Sequence, residues 1–416
     1  MEKVDYKRVK LGDIAEINSR QINKDFSFKN IRYIDIASVT KGSIDNIQNL
    51  QTSKAPSRAK RLVKKNDILY STVRPNLEHY TFIKNDLPNN TVASTGFAVI
   101  TPNQDSVNPY YLYCLITQSQ FTQYLSQVAE QAVSTYPTVS PNIIADLDLS
   151  IPPLSEQKRI ANILSSFDNK IEQLKKENNI LENIAQSIFK EWFVKYNFPN
   201  DNGKPYRDSG GKMIDSELGL IPEGWRVGKL GEILELKSGY PFSSKDYVEK
   251  SSQQIIRISD VKGNGTVETK SAFYISEKAK NNSKVDDFLL SPGDMLLSMS
   301  GSVGRIGIVP TSKNTLYLNQ RVGKLFFYED LFYYYIKNLL LSGQFESLIS
   351  NMGYGSVQQN INPNQIHSIN IVIPKKEEIT KYNLVAKAQD AKRNKNTDKI
   401  VLSEETRNIL LRKLIL

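Results

Sequence analysis

From Leu154 to Phe198 the apolar residues recur at spacings that alternate between four and three. The series is Ile160, Leu164, Phe167, Ile171, Leu174, Asn178, Leu181, Ala185, Ile188 and Trp192. This is a heptad seam with one polar member, Asn178; a buried Asn costs stability and fixes register. No Gly or Pro interrupts the segment. Roughly 40 residues are therefore free to be helical, about 60 Å of rod at 1.5 Å per residue. Pro152-Pro153 stops whatever precedes it, and Ser155 with Glu156 supplies an N-cap and first turn. An amphipathic helix this long needs a partner. Residues 377–416 are also free of Gly and Pro, with Ile379, Leu384, Val385, Ala388, Ala391, Leu402, Ile409 and Leu416 as apolar positions. The pattern there is weaker, and Lys392 to Lys399 is very polar. The expectation is an antiparallel coiled coil between the two segments.

The rest of the chain is strand-rich and repeats itself. Leu11-Gly12-Asp13-Ile14 matches Leu230-Gly231-Glu232-Ile233, and Asn66-Asp67-Ile68-Leu69-Tyr70-Ser71 matches Gly293-Asp294-Met295-Leu296-Leu297-Ser298. Val139-Ser140-Pro141-Asn142 matches Ile361-Asn362-Pro363-Asn364, and Leu149-Ser150-Ile151-Pro152 matches Ile371-Val372-Ile373-Pro374. The matches keep their order at an offset of about 220 residues, so each half is one copy of a module. Alternating runs such as Arg32 to Ile36 and Gln254 to Ile258 predict strands. Pro109 to Val128 and Leu331 to Ser350 predict helical segments. The Gly-, Pro- and Asp-rich stretch that ends at Pro222-Glu223-Gly224-Trp225 predicts turns and a linker. The expected fold is α+β: a module at 1–153, a long helix at 154–198, a linker at 199–224, a second module at 225–374 and a second long helix at 375–416. The two modules form a pseudo-two-fold internal repeat, separated by the paired helices.

Composition narrows the class. The 416 residues are 39% hydrophobic and 24% charged, as in an ordinary globular protein. No signal peptide and no uncharged bilayer-length apolar run is evident, and the one cysteine, Cys114, lies in an apolar helical context. The expected location is the cytoplasm, with no membrane partner. Lys and Arg number 54 against 44 Asp and Glu, a net charge of +10 that points toward a polyanion.

Catalytic signatures are missing. There is no Gly-x-x-x-x-Gly-Lys-Ser/Thr phosphate loop and no Asp/Asn-Pro-Pro-Tyr/Phe element of amino-methyltransferases. Asp260 with Glu268-Thr269-Lys270 imitates a nuclease string only loosely. His79 and His367 are isolated, so neither a metal site nor a catalytic triad is indicated.

Residues suited to DNA are concentrated in loops. Lys54, Arg58, Lys60, Arg61, Lys64 and Lys65 form a run with no acid before Asp67, which suits phosphate contacts. Thr72, Arg74 and Asn76 follow a predicted strand on a loop that Pro75 keeps non-helical; Arg pairs with guanine and Asn with adenine in two-pronged fashion. The matching loop of the second module carries Ser300, Ser302 and Arg305, and Asn319-Gln320-Arg321 is a further polar cluster. Ser134-Thr135-Tyr136 and Tyr354 with Gln358 and Gln359 occupy equivalent places before the Ile-Pro strands. The frames match and the loops differ, so the two modules should read different half-sites.

Taken together, the chain resembles the specificity (S) subunit of type I restriction-modification systems over its whole length. The most specific stretches are Ile151-Pro152-Pro153-Leu154-Ser155-Glu156-Gln157-Lys158-Arg159-Ile160-Ala161 and Leu218-Gly219-Leu220-Ile221-Pro222-Glu223-Gly224-Trp225. Gly239-Tyr240-Pro241-Phe242, which adds Tyr240 to the DNA-facing candidates, and Gly301 to Gly307 are also similar. The resemblance implies a non-catalytic subunit with two target-recognition domains on double-stranded DNA. It implies long helices that set the spacing and dock two methyltransferase (M) subunits, with motor-nuclease (R) subunits joining for cleavage. It implies no cofactor on this chain: S-adenosylmethionine, ATP and Mg belong to the partner subunits. The second half departs from the pattern at Pro374-Lys375-Lys376-Glu377-Glu378, where the first has Pro-Pro-Leu-Ser-Glu-Gln. The alternative reading is a non-enzymatic adaptor that uses both modules, with surfaces such as Tyr333-Tyr334-Tyr335, for protein contacts.

Overall fold

The computed structural model describes residues 5–23, 26–131, 137–277, 285–342, 345, 349 and 360–415. The chain divides into two compact units, Met1–Lys175 with Asp398–Leu416, and Lys176–Thr397. Each unit therefore contains one module and a stretch of both long helices.

The first unit is built on two four-stranded sheets. One has the order Gln48–Gln51, Asn30–Ile34, Thr91–Ser94, Ala59–Leu62; the other has Ala15–Ile17, Phe97–Pro102, Ile68–Ser71, Tyr80–Phe82. All pairings in these two sheets are antiparallel except Thr91–Ser94 with Asn30–Ile34. A separate ladder joins Lys7–Lys10 to Asp148–Ile151. The second unit repeats this plan. Phe273–Ile275, Gln253–Ile256, Thr315–Leu318 and Leu289–Leu290 form the first sheet, extended at one edge by Tyr247–Val248. Leu234–Ser238, Val322–Phe327, Met295–Ser298 and Ile306–Ile308 form the second, extended by Gly265–Thr266. Gln253–Ile256 and Thr315–Leu318 again pair parallel, and Arg226–Lys229 joins Asn370–Ile373. The sequence repeat is thus a repeat of strand order.

Each matched motif has the same structural task in both copies. Asn66 and Gly293 sit at positive φ in a turn whose fourth residue, Asp67 or Asp294, returns its carboxylate to the first residue's amide, Lys64 N at 2.7 Å or Ser291 N at 2.7 Å. Gly12 and Gly231 lie under the short helices Pro141–Ala145 and Pro363–His367; a Cβ on Gly231 would come within 2.9 Å of His367 Cβ. Those helices are capped by Ser140 and by Asn362, whose side chain accepts from Gln365 N at 3.0 Å.

The central helix spans Leu154–Phe189 and continues as a π-turn over Lys190–Val194. Ile160, Leu164, Ile171, Leu174 and Ala185 of its seam are buried; Phe167, Asn178, Leu181 and Ile188 are half-buried. The C-terminal helix spans Lys376–Ile415. In the first unit Asp168 accepts from Tyr110 and pairs with Arg407 at 2.9 Å, and Lys175 meets Glu404 at 3.5 Å. In the second, Glu182 pairs with Arg393 at 2.5 Å, Asn178 accepts from Asn396 at 3.0 Å, and Phe189 packs on Tyr382. Within each unit the two helices therefore run antiparallel.

One expectation is corrected. Leu384, Val385, Leu402 and Ile409 do not line the seam; they are exposed. The seam positions are Ile379, Tyr382, Ala386, Gln389, Arg393, Asn396, Ile400, Ser403, Arg407, Leu410 and Leu414, all buried or half-buried. Their spacing alternates three and four without a slip, but many of the occupants are polar, so the apolar pattern alone conceals the heptad. The Gly- and Pro-rich stretch before Trp225 forms the expected turns yet packs back on its own unit. Tyr206 stacks on Phe198 and Phe198 on Trp225, and Met213–Ile214 pairs with Ile221–Pro222. The predicted helical segment at Pro109 to Val128 is two helices, Pro109–Ile116 and Ser119–Gln131.

Candidate nucleic-acid interface

In the first module, backbone hydrogen bonds gather four loops at one end of the sheets. Thr95 N donates to Arg58 O at 2.7 Å, Thr72 N to Gly96 O at 2.8 Å, Arg74 N to Pro137 O at 2.9 Å and Val139 N to Thr72 O at 2.8 Å. The basic run and the Thr72–Asn76 loop, distant in sequence, thereby share one surface. Arg58 and Lys60 are exposed on it, as are Lys54, Arg74 and Asn76. Arg74 adopts a left-handed backbone (φ 45°) at the entrance to the 3-10 turn Pro75–Leu77, which re-aims the chain sharply. Two residues of the set are turned inward. The Thr72 hydroxyl is buried and donates to Gly96 O at 2.9 Å, so it secures the loop. Arg61 is half-buried, and desolvation pushes its guanidinium pKa down.

The second module repeats the arrangement with other side chains. Met299 takes the place of Thr72: Met299 N donates to Arg321 O at 3.1 Å and Ile361 N to Met299 O at 2.9 Å. Ser300 bridges to Asn360 as Val73 does to Thr138. The outcome is a recess of about 310 Å³ lined by Met299, Ser300, Gly301, Gln320, Arg321 and Asn360. Tyr240 and Asn319 pair across a parallel bridge, and Gln320 N donates to Tyr240 O at 3.0 Å, so these polar residues converge as well. The Ser298 hydroxyl holds the intervening loop by donating to Ser302 O at 2.5 Å and accepting from Arg305 N at 2.9 Å. Arg305 and Ser302 are exposed. Met299 and Gly301 line the recess although sequence reasoning did not select them; Asn360, which lines it too, ends the candidate loop that starts at Tyr354. Its bridge to Ser300 is a long-range pairing, and only its place in the repeat opposite Thr138 hinted at it. Ser134, Thr135, Tyr136, Tyr354, Gln358 and Gln359 lie outside the described residues.

Groups with catalytic potential are otherwise engaged. His79 Nδ1 lies 2.5 Å from Val39 O, and His367 Nε2 accepts from Leu236 N at 2.8 Å. Asp260 is buried and caps Arg257 N at 2.8 Å, while Glu268 faces Lys262 at 3.5 Å. Burial pushes the Cys114 thiol up to about 12. Among the described residues no cluster of three metal-ligating side chains occurs, and no helix is long and apolar enough to cross a membrane.

The comparisons with known proteins agree with this architecture. The profile of the type I restriction modification DNA specificity domain matches twice, over residues 3–183 and 222–412. The type I restriction enzyme HindI specificity subunit of Haemophilus influenzae is 37% identical over 195 residues, which are 46% of this chain and 41% of that relative's length. The MjaIX specificity subunit of Methanocaldococcus jannaschii is 28% identical over 85% of this chain and 78% of its own. Among solved structures, the S subunit of a type I restriction-modification system from M. genitalium superposes with a TM-score of 0.57 at 13% identity, covering 100% of this chain and 97% of that one; it speaks to the fold. With both of its modules matched, the chain belongs to the type I restriction modification DNA specificity domain family.

Proposed function

We propose that this chain supplies DNA sequence specificity to a type I restriction-modification complex and carries no catalytic site of its own. Each module reads one half of a two-part, asymmetric site on double-stranded DNA. The paired helices set the unread gap between the halves and dock two methyltransferase subunits; motor-nuclease subunits join through that complex, in the cytoplasm. S-adenosylmethionine, ATP and Mg are handled by those partners. One observation carries the reading: the same strand order appears twice, and the same end of each copy presents polar loops that differ between the copies. A shared frame positions the loops on the duplex, and the changed side chains alter which base edges they satisfy. In the first module, Lys54, Arg58 and Lys60 hold phosphates, while Arg74 and Asn76 face bases. In the second, Ser302 and Arg305 share the loop that borders the recess of Ser300, Gln320, Arg321 and Asn360, with Tyr240 and Asn319 beside it.

The test is methylome mapping in cells that express the chain with its cognate methyltransferase subunit. The expected result is adenine methylation at one two-part motif with unlike halves and a constant gap. A palindromic motif, or activity of the purified chain alone, sinks the proposal.

A further inference from the structure

We propose that the first module has a second base-reading surface, a carboxamide groove built by the helix Ser119–Gln131 against the turn that follows Arg74. This rests on the DNA-reading role proposed above. The groove holds about 370 Å³ and is lined by Asn76, Glu78, Ser119, Thr122, Gln123, Ser126, Gln127 and Glu130. It continues directly from the loop that carries Arg74, because Asn76 belongs to both.

The lining divides into committed and available groups. The Thr122 hydroxyl faces Tyr70 OH at 3.4 Å, the Ser126 hydroxyl donates to Thr122 O at 2.6 Å, and Glu78 is paired with Lys41. The exposed carboxamides are those of Asn76, Gln123 and Gln127, with the carboxylate of Glu130 at the far end. Leu125 and Ala129 bury the opposite face of the helix, so its polar face is held against a fixed core.

The chemistry selects the ligand. No Lys, Arg or His occurs between Lys84 and Lys158, so this helix has no cation of its own to offer a phosphate. The exposed carboxylate of Glu130 repels a phosphate backbone further, whereas that of Glu78 is paired with Lys41. What remains is a row of groups that each donate and accept, which suits neutral base edges: carboxamides pair with adenine N6 and N7, and a carboxylate accepts from cytosine N4. Gln123 and Gln127 are about 6 Å apart along the helix axis, against about 3.4 Å per base step, so they reach different base pairs. Work is thus divided within the module. The cations near Arg58 hold the backbone, and the groove discriminates.

The experiment is selection of bound duplexes from a randomised library by the full chain, followed by titration in salt. Gln123→Ala with Gln127→Ala should lower selectivity roughly ten-fold at each of one or two neighbouring positions in one half-site. The other half-site, and the slope of affinity against salt, should be unchanged. Lys60→Ala should do the reverse, weakening all sequences alike and reducing the salt slope. Circular dichroism checks that the doubly substituted chain is folded, and Gln123→Glu with Gln127→Glu, which keeps the shape of the side chains, should alter the selected bases. An unchanged motif in both double variants overturns the inference while leaving the DNA-reading role intact. Failure of the unsubstituted chain to select any motif overturns both.

Discussion

At the scale of single residues, the repeated aspartates show how one sequence motif serves the same turn at unequal cost. Asp67 is fully buried and takes Arg20 at 2.5 Å, Thr101 at 2.9 Å and the Lys64 amide. Removing the carboxylate leaves the Thr101 hydroxyl and the Lys64 amide without their acceptor and Arg20, 28% exposed, without its counter-ion, at about 3 kcal/mol. Asp67→Ala should therefore lower the urea midpoint of the first unit by that equivalent. Asp294 is 19% exposed and takes Lys324 and the Ser291 amide, one partner fewer than Asp67, so Asp294→Ala should cost less. Equal losses for the two would contradict the account. Cys114 gives a second residue-level expectation. Its thiol is held protonated by burial, with a folded-state value near 12 above that of an unfolded thiol. Its contribution to stability is full below the unfolded thiol's pKa and is lost as pH rises past it toward 12. At pH 8 a thiol reagent should label Cys114 only as fast as the chain unfolds, and labelling at the rate of a free thiol would show that the site is open.

At the scale of elements, the paired helices are held by polar layers in a hydrophobic seam. Asn396 is fully buried against Asn178, and Arg393 and Arg407 reach Glu182 and Asp168 on either side. A polar layer of this kind trades stability for a single register. Asn178→Leu combined with Asn396→Leu should raise the thermal midpoint and admit additional registers. Paired spin labels at Glu172 and Lys399, both within the first unit, should then report a broadened distance distribution; a single unchanged distance would show that register is set elsewhere. The central helix was legible in the sequence because most of its seam is apolar. The C-terminal helix was half-legible: its extent followed from the lack of Gly and Pro, whereas its inner face did not. Hydrophobic periodicity registers only apolar occupants. Arg393, Asn396 and Arg407 are inside because partners on the other helix meet their charges and amides, and that complementarity has no signature along one strand of sequence.

At the scale of the whole molecule, the second unit is one continuous stretch of chain, whereas the first draws on a distant segment. The first needs residues 398–416, whose Ile415, Leu411 and Leu414 join the core formed by Leu11, Tyr111 and Leu164. Truncation after Thr397 should destabilise the first unit while the second retains its cooperative unfolding, a split that calorimetry resolves. Binding should be equally divisible. Arg74→Glu should weaken recognition of one half-site and Arg305→Glu that of the other, each by about 1–3 kcal/mol, measured on duplexes altered in one half at a time. Loss of both halves from one substitution would mean that the modules do not read separately.

The internal repeat, the two long Gly- and Pro-free helices and the basic loop were all present in the order of the residues. Each depends on local rules: the spacing of apolar side chains, the need for Asn or Gly at a left-handed turn, the exclusion of Pro from helix interiors. The gathering of the loops that carry Arg58 and Arg74, the recess where Asn360 joins Ser300 and Arg321, and the inward turn of Thr72 depend on hydrogen bonds between loops far apart in the chain. Sequence determined which modules exist and which chemistry they carry. Tertiary structure decided which side chains face outward together, because only the packed sheets bring those loops to one edge.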